Sequence, residues 1–548
     1  MTILFLMDSP EYLRFYDSAI EELAARGHAV AIAVNSGRAR KPVGLEGLQR
    51  YADRVRVLGV VPQHEGQWAG VARGVRATMD FVRFLHPRFA GARALRARIK
   101  RKVLPRAYHW LDAIPRLGPG LVRAAERGLA ALEQAVPVCE PMVAFLRAEA
   151  PDVLLVSPLV AAASEQVDWV KAARAAGVRT AVAVASWDNL TNKGLLRIEP
   201  DLVVVWNEAQ KGEAHDYHYI PAAKIAVTGA QLFDRWFDRR VTRDRAAFCQ
   251  RVGLPGDGPF VLFTGSSSFI SKSEAEVAFV RRWLAAVRAS GDPALAGVNV
   301  LVRPHPYNCH AWEADPLADL GGVAVFPRAG YNPVDADNRV DFFDSLFHAA
   351  AVVGINTSAM IEAAIVGRPV LSMLAPEFAG TQEGTIHFHH LLPEHGGFLR
   401  VAATLDEHVV QLADRLRDPA ASRAETARFV ASFIRPHGVD RPATPLFADV
   451  IERLAATPAP APRPAPAWAL LLRPLALALA VPVAIVNGVG RSETRNRLRR
   501  RADGAWRRWR KTVARTAGLA GGRVRRMFHT AGKRLNRSLL RFQRARVR

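Results

Sequence analysis

Cysteine is scarce in this 548-residue chain: Cys139, Cys249 and Cys309 are its only three, far apart and without a CxxC pair. That excludes a disulfide scaffold, argues against a thiolate zinc site, and fits reduced thiols in a cytosolic protein. A secretory leader is not legible either. MTILFLMDSP lacks a basic n-region, its apolar run is too short, and it reads as a first core strand. The apolar run Pro474 to Val486 is 13 residues, short of the roughly 20 that a spanning helix needs.

Acidic residues are missing from two stretches. Residues 491–548 hold 21 Lys plus Arg against Glu493 and Asp503, which is +19 of the chain's +24 and leaves +5 for everything before. The basic charge is therefore a property of the tail. From Phe81 to Leu111 there are nine Lys or Arg and no acid, interleaved with Phe84, Phe89, Leu95, Ile99, Tyr108 and Trp110. That pattern fits a helical insertion with a solvated basic face, or a surface for a membrane or polyanion.

Half of the residues are apolar, enough for two domains of more than 200 residues each. The first half alternates strand and helix: Ile3–Met7, a helix over Tyr12–Arg26 ended by Gly27, then strands at His28–Val34 and Val55–Val61. Residues 66–150 interrupt the rhythm as a mostly helical insertion. It resumes with Asp152–Ser157, Thr180–Ala185, Leu202–Trp206 and Ile225–Thr228, and a second βα series begins at Phe260. Such alternation implies parallel sheets with ligands at strand C-terminal ends. The reading is α/β: a first domain over 1–228, a second over 229–455, a Pro/Ala linker over 456–466 (ATPAPAPRPAP from Ala456), and an apolar, Arg-rich appendage over 467–548.

The segment Ala350–Met373, AAVVGINTSAMIEAAIVGRPVLSM, is the most informative. It predicts a buried strand, a turn at Asn356, Thr357 and Ser358, a helix from Ser358 to about Val366 stopped by Gly367, and a second strand over Pro369–Met373. Thr357 or Ser358 can cap the helix, and N–H groups and hydroxyls at such a turn suit a diphosphate. Glu362, one turn on, is placed to accept hydrogen bonds from a ribose diol. Thr264-Gly265-Ser266-Ser267-Ser268 follows an apolar strand and offers hydroxyls to phosphate oxygens. Arg303 and His305 end another strand in NVLVRPHP; Arg303 suits a bidentate diphosphate contact, and His305 a proton donor to a leaving phosphate.

The strand–turn–helix with its Glu resembles the nucleotide-binding unit in the C-terminal half of two-Rossmann (GT-B) glycosyltransferases. The Arg-x-His-Pro element resembles that of CDP-glycerol glycerophosphotransferases. Capsule polysaccharide transferases and UDP-GlcNAc 2-epimerases share the fold, and the resemblance spans roughly residues 1–450. It implies two Rossmann-like parallel-sheet domains facing a cleft and a nucleotide-activated donor, UDP- or CDP-linked. It also implies sugar contacts from Thr381, Gln382 and Glu383 in GTQEGTIHFHH, and no bound metal or other cofactor. His387, His389 and His390 invite a metal site, but no carboxylate at ligand spacing completes a set. In inverting members a carboxylate or His of the first domain accepts the acceptor's proton; Asp188, in a Trp-Asp-Asn loop near Lys193, and Asp8, beside Glu11, are both candidates.

The function expected is transfer of a sugar or polyol phosphate to a surface-polysaccharide or lipid-linked acceptor. The alternatives are a UDP-GlcNAc 2-epimerase-like enzyme and a non-catalytic polyanion-binding scaffold. Residues 467–548 are expected to hold the protein on the inner face of the cytoplasmic membrane, because Leu498, Ala502, Trp506, Trp509 and Val513 fall at helical spacing among arginines. Nucleic acid is the less favoured partner of that tail.

Overall fold

The computed structural model describes residues 1–35, 46–256, 258–330 and 336–488. The chain divides into two units, Met1–Ala480 and Val481–Arg548. The second is described only over its first residues, so the Trp- and Arg-bearing tail pattern lies outside the described residues.

The first unit holds two parallel sheets. One contains β1 (Thr2–Met7), β2 (Ala29–Val34), β3 (Val55–Val60), β4 (Val153–Ser157), β5 (Arg179–Ala183), β6 (Leu202–Val205) and β7 (Ile225–Val227), in the order β3-β2-β1-β4-β5-β6-β7. The other contains β8 (Phe260–Thr264), β9 (Asn299–Arg303), β10 (Val323–Val325), β11 (Ala351–Gly354), β12 (Val370–Met373) and β13 (Arg400–Ala402), in the order β10-β9-β8-β11-β12-β13. These are two Rossmann-like parallel-sheet domains. Each strand order reverses once, between β1 and β4 and between β8 and β11. Ligands of open α/β sheets bind at that reversal, outside the carboxyl ends of the strands.

The strands are apolar on both faces because helices cover both. In β1, Ile3 and Phe5 enter one core while Leu4 and Leu6 enter the other. In β8, Val261 and Phe263 face one layer and Phe260 and Leu262 the opposite one. A sheet buried on both sides reads as a continuous apolar run, which is how these segments read in sequence. Tyr16 ties together the ends of β4 and β5: its hydroxyl lies 2.6 Å from Ser157 Oγ and donates to Ala183 O at 2.8 Å.

Residues 66–150 are helical, with helices at Gln67–Val82, Arg93–Lys102, Pro119–Ala135 and Glu140–Glu149. Buried ion pairs fix this insertion to the first sheet's helices. Arg76 bridges Glu133 and Asp168, each at 2.7 Å, and Arg197 pairs with Asp80.

Two boundaries differ from the sequence reading. The helix Ala443–Ala456, assigned above to the second domain, packs on the first. Phe447, Ala448 and Ile451 join the core formed by β1 and the helix Asp17–Ala25. Arg26 holds it at Asp449 (2.7 Å) and Glu452 (3.0 Å). The helix is amphipathic and the first sheet's outer face needs covering, so the chain returns to it. The apolar segment after the linker is not wholly free either. Ala476, Leu472 and Leu477 of the helix Ala469–Gly488 pack against Val71, Val75, Met79 and Leu132 of the insertion. The linker is tied down on the way, Arg463 N donating to Arg174 O at 2.8 Å. Among the described residues no single helix is long and apolar enough to cross a membrane.

Candidate functional site

The carboxyl ends of both sheets open onto one cleft of about 540 Å³, walled by loops from each domain. From the second sheet come Gly265 and Ser267 after β8, Arg303 and His305 after β9, and Asn356, Thr357, Ser358 and Glu362 after β11. From the first come Tyr12 and Arg14 after β1, and Trp187, Asp188 and Lys193 after β5.

Gly265 is where these loops need a glycine. Its N–H donates to Arg303 O at 2.8 Å, and a Cβ there would lie 2.7 Å from His305 N and 3.1 Å from Arg303 O. Both neighbours are backbone and cannot swing aside. The missing side chain lets the β8 and β9 ends close up and bring Ser267 and His305 to the same wall. Gly367, at φ +73°, ends the next helix as expected.

That helix is shorter than the sequence suggested, Ala359–Ile365. Ser358 sits at its N-cap in helical geometry and makes no side-chain cap. Its Oγ instead accepts a hydrogen bond of 3.0 Å from Trp187 Nε1. The predicted capping role is therefore corrected: the hydroxyl is spent across the cleft, on the Trp-Asp-Asn loop of the other domain. Asn356 also turns inward, its amide donating to Thr381 O at 2.7 Å.

Of the expected site residues, Asp8, Ser266, Ser268, Thr381, Gln382 and Glu383 do not line the cleft. Ser266 is buried under the β8 loop, with its N–H on Glu276 Oε1 at 2.7 Å. Gln382 is fully buried and its amide brackets Ile355 O, Ser372 Oγ and Met373 O, which fastens the loop to β12. Thr381 Oγ1 donates to Ile270 O at 2.8 Å. Thr381 and Gln382 thus stabilise the loop and are not presented to a sugar. Asp8 is absent from the lining, whereas Tyr12 lines the cleft and feels the charges of both Asp8 and Asp188. Burial and then Glu165 raise the Asp8 pKa against the pull of Lys193.

Arg303 lies on the wall but is committed behind it. The guanidinium is buried, and Nη1 donates to Ser345 Oγ at 2.9 Å and Asp341 O at 3.3 Å on the helix Ala336–His348. Burial lowers its pKa to about 10, against Asp341. It braces that helix; a bidentate grip on a diphosphate is not what its geometry offers.

Asp188 receives amide hydrogens from Asn189 (3.2 Å) and Asn192 (3.0 Å), with Lys193 Nζ 3.8 Å away. Burial would raise its pKa, but Lys193, His387 and hydrogen bonds from Ser186 and Asn192 outweigh it and hold the carboxyl well below the usual range. It is an anion at pH 7. His387 stands beside it, 4.7 Å from the Trp187 ring and edge-on, with Nδ1 buried and without a hydrogen-bond partner. Burial pushes its pKa down to about 4 despite Asp188, so the ring is neutral at pH 7. His389 and His390 diverge from it: one meets Glu383 O at 3.0 Å, the other Glu213 at 2.6 Å.

The sequence reading missed most of the charge. Arg14, Arg98, Lys193, Arg235, Arg239, Arg303 and Arg339 line the cleft, seven cations against Glu11, Asp17, Asp188 and Glu362. Asp17 is engaged by Arg235 at 2.8 Å and Arg339 at 3.8 Å. Glu362 has its pKa raised by burial to about 8, against Arg14 and Arg239, so it is largely neutral at pH 7. The surplus is positive. Arg235 and Arg239 sit in Gln231–Arg240, QLFDRWFDRR, where basic and aromatic residues alternate; that was the legible signal. Asp234 anchors this segment by accepting from Arg435, Ala443 N and Thr444 N, where the chain crosses back to the first domain. Nothing local in sequence announced Arg14 or Arg339.

No protein-family model matches this chain, and no curated protein matches it. Solved structures do. The UDP-GlcNAc 2-epimerase from Neisseria meningitidis, bound to UDP-GlcNAc, is 11% identical, with 83% of this chain and 100% of that one covered and a TM-score of 0.46. A glycosyltransferase from Rickettsia africae is 10% identical, with 83% and 99% covered and a TM-score of 0.47. An Anabaena protein in complex with UDP and glucose is 14% identical, with 83% and 100% covered and a TM-score of 0.43. Likenesses this distant carry nothing about what the cleft binds, and the fold rests on the strand orders given above.

Proposed function

We propose that this protein is an enzyme acting on a nucleoside-diphosphate-activated sugar or polyol held in the interdomain cleft. The observation that carries the reading is the arrangement of charge. Arg14 and Arg239 flank a Glu362 that is neutral at pH 7, at the carboxyl end of the second sheet and next to the Gly265–Ser267 loop. Arginines supply the countercharge for a diphosphate, and a protonated Glu362 can hydrogen-bond a ribose diol without repelling the diphosphate beside it. Trp236 and Phe342, stacked edge to face at 5.8 Å, give an apolar wall for a base.

His305, on the β9 loop, is assigned the proton to the departing phosphate, and Asp188 accepts the proton on the opposite wall. His387, neutral and beside Asp188, lies within the same reaction space. Transfer to a glycan or lipid-linked acceptor is the first reading of this chemistry.

Epimerisation within the activated sugar is the second, and the cleft volume favours it. About 540 Å³ accommodates one drug-sized ligand. A transferase would have to widen the cleft for its acceptor. Incubation with radiolabelled UDP- and CDP-linked donors, followed by product analysis, tests the proposal. Donor consumption is expected, with free nucleotide marking transfer and an isomeric donor marking epimerisation. No consumption and no saturable nucleotide binding would return the chain to a polyanion-binding scaffold.

A further inference from the structure

The helix Ala469–Gly488 docks on the insertion by one side only. Ala469, Leu472 and Ala476 turn inward, and Arg473 reaches Ala135 O at 3.3 Å. Over residues 469–479 the other side is apolar and exposed. Trp468, Leu471, Leu475 and Leu479 are 48, 80, 50 and 40% exposed, and their spacing of three, four and four residues sets them in one stripe. No charged residue interrupts that half of the helix over Ala467–Leu479.

The insertion extends the stripe. Tyr108 donates its hydroxyl to Leu479 O, which brings the short helix Arg106–Ala113 alongside, and Trp110 there is 62% exposed. Arg101 and Arg106, just before Trp110 in sequence, are exposed. Asp112, the acid nearest in sequence, is taken up by Arg96 at 2.9 Å and Lys100 at 2.5 Å. An exposed leucine–tryptophan stripe edged by cations is not a surface that water favours.

We infer that this face is a docking surface for a bilayer containing anionic lipid, built on the folded body and continuous in sequence with the basic tail. Charge decides the occupant. A second copy of the chain would bring the same excess of cations to the interface. Anionic headgroups neutralise them while the leucines enter the acyl boundary. The +19 of residues 491–548 begins about 20 residues beyond Trp468 and adds attraction of the same sign. Trp110 and Trp468 are suited to the headgroup level.

The test is flotation of the full chain with phosphatidylcholine vesicles, with and without phosphatidylglycerol. Wild type should float with the anionic vesicles, less in high salt but not zero. Leu471→Glu/Leu475→Glu/Leu479→Glu, with the tail intact, should lower partitioning roughly tenfold or more while Tm and nucleotide binding stay put. A dye on Leu475→Cys should shift to the blue on the same vesicles. Flotation of the triple variant equal to wild type would overturn the inference, leaving the tail charge alone. So would dissociation of a wild-type dimer by that variant without loss of flotation, or tight salt-sensitive binding to RNA with no flotation.

Discussion

Trp187 Nε1 donates to Ser358 Oγ across the cleft at 3.0 Å, joining a loop of the first sheet to the first turn of a helix on the second. The same indole meets His387 edge-on, so one side chain touches the phosphate turn and the polar end of the cleft together. That hydrogen bond ties the walls contributed by the two domains together at this point of the cleft.

Trp187→Phe keeps the ring and deletes the donor. It should weaken nucleotide binding by about 0.5–1.5 kcal/mol, the net worth of one hydrogen bond. Ser358→Ala added to it should cost little more. A double-mutant cycle by calorimetry checks this, and fully additive losses would mean the two residues act through separate partners.

Glu362 gives a pH signature. Its folded-state pKa is raised to about 8, so its contribution to stability is present below the ordinary carboxylate range and is lost as pH rises through about 8. Glu276, buried and raised likewise to about 8, acts in the same direction. Wild type should melt lower at pH 9 than at pH 6, and Glu362→Gln should recover part of that loss. Relative to the Gln variant, whose pH profile carries only the ligand's own phosphate ionisation, wild type should lose diphosphate affinity as pH rises above 8. Titrations across that range decide it.

Gly265→Ala places a methyl against two backbone groups. Nucleotide affinity should drop at least tenfold and Tm should fall by several degrees, as expected of a strained, close-packed turn. A variant with wild-type Tm and affinity would show that the β8–β9 approach is looser than drawn here.

Asp188→Asn retains shape and removes the proton acceptor. Turnover should fall by about 10²-fold or more with donor Kd nearly unchanged. Loss of affinity equal to the loss of rate would make Asp188 a binding residue only.

The sheets were legible because both faces of their strands are buried: β8 and β11 read as unbroken apolar runs, and the glycines after them mark where chains approach closely. The cleft was legible at the loops that follow those strands, including Asp188, His305 and Glu362. Sequence could not tell which hydroxyl or amide of a loop points in. Ser266 and Ser267 are neighbours, and only the second lines the cleft, because the first donates its N–H to Glu276. Gln382 was misplaced for the same reason: a buried amide that brackets three acceptors looks, in sequence, like a sugar contact. Arg14 and Arg339 come together only through the packing of distant elements, and no local pattern carries that.

The most direct measurement is calorimetric titration of UDP and CDP into the full chain, wild type and Arg14→Ala/Arg239→Ala. Saturable one-to-one binding of at least one nucleotide is expected. The double variant should weaken it roughly tenfold or more while leaving Tm and uridine or cytidine binding nearly unchanged, since only the diphosphate loses its countercharge. No binding of either nucleotide to well-folded wild type, or equal affinity in the double variant, would contradict a nucleoside-diphosphate site in this cleft.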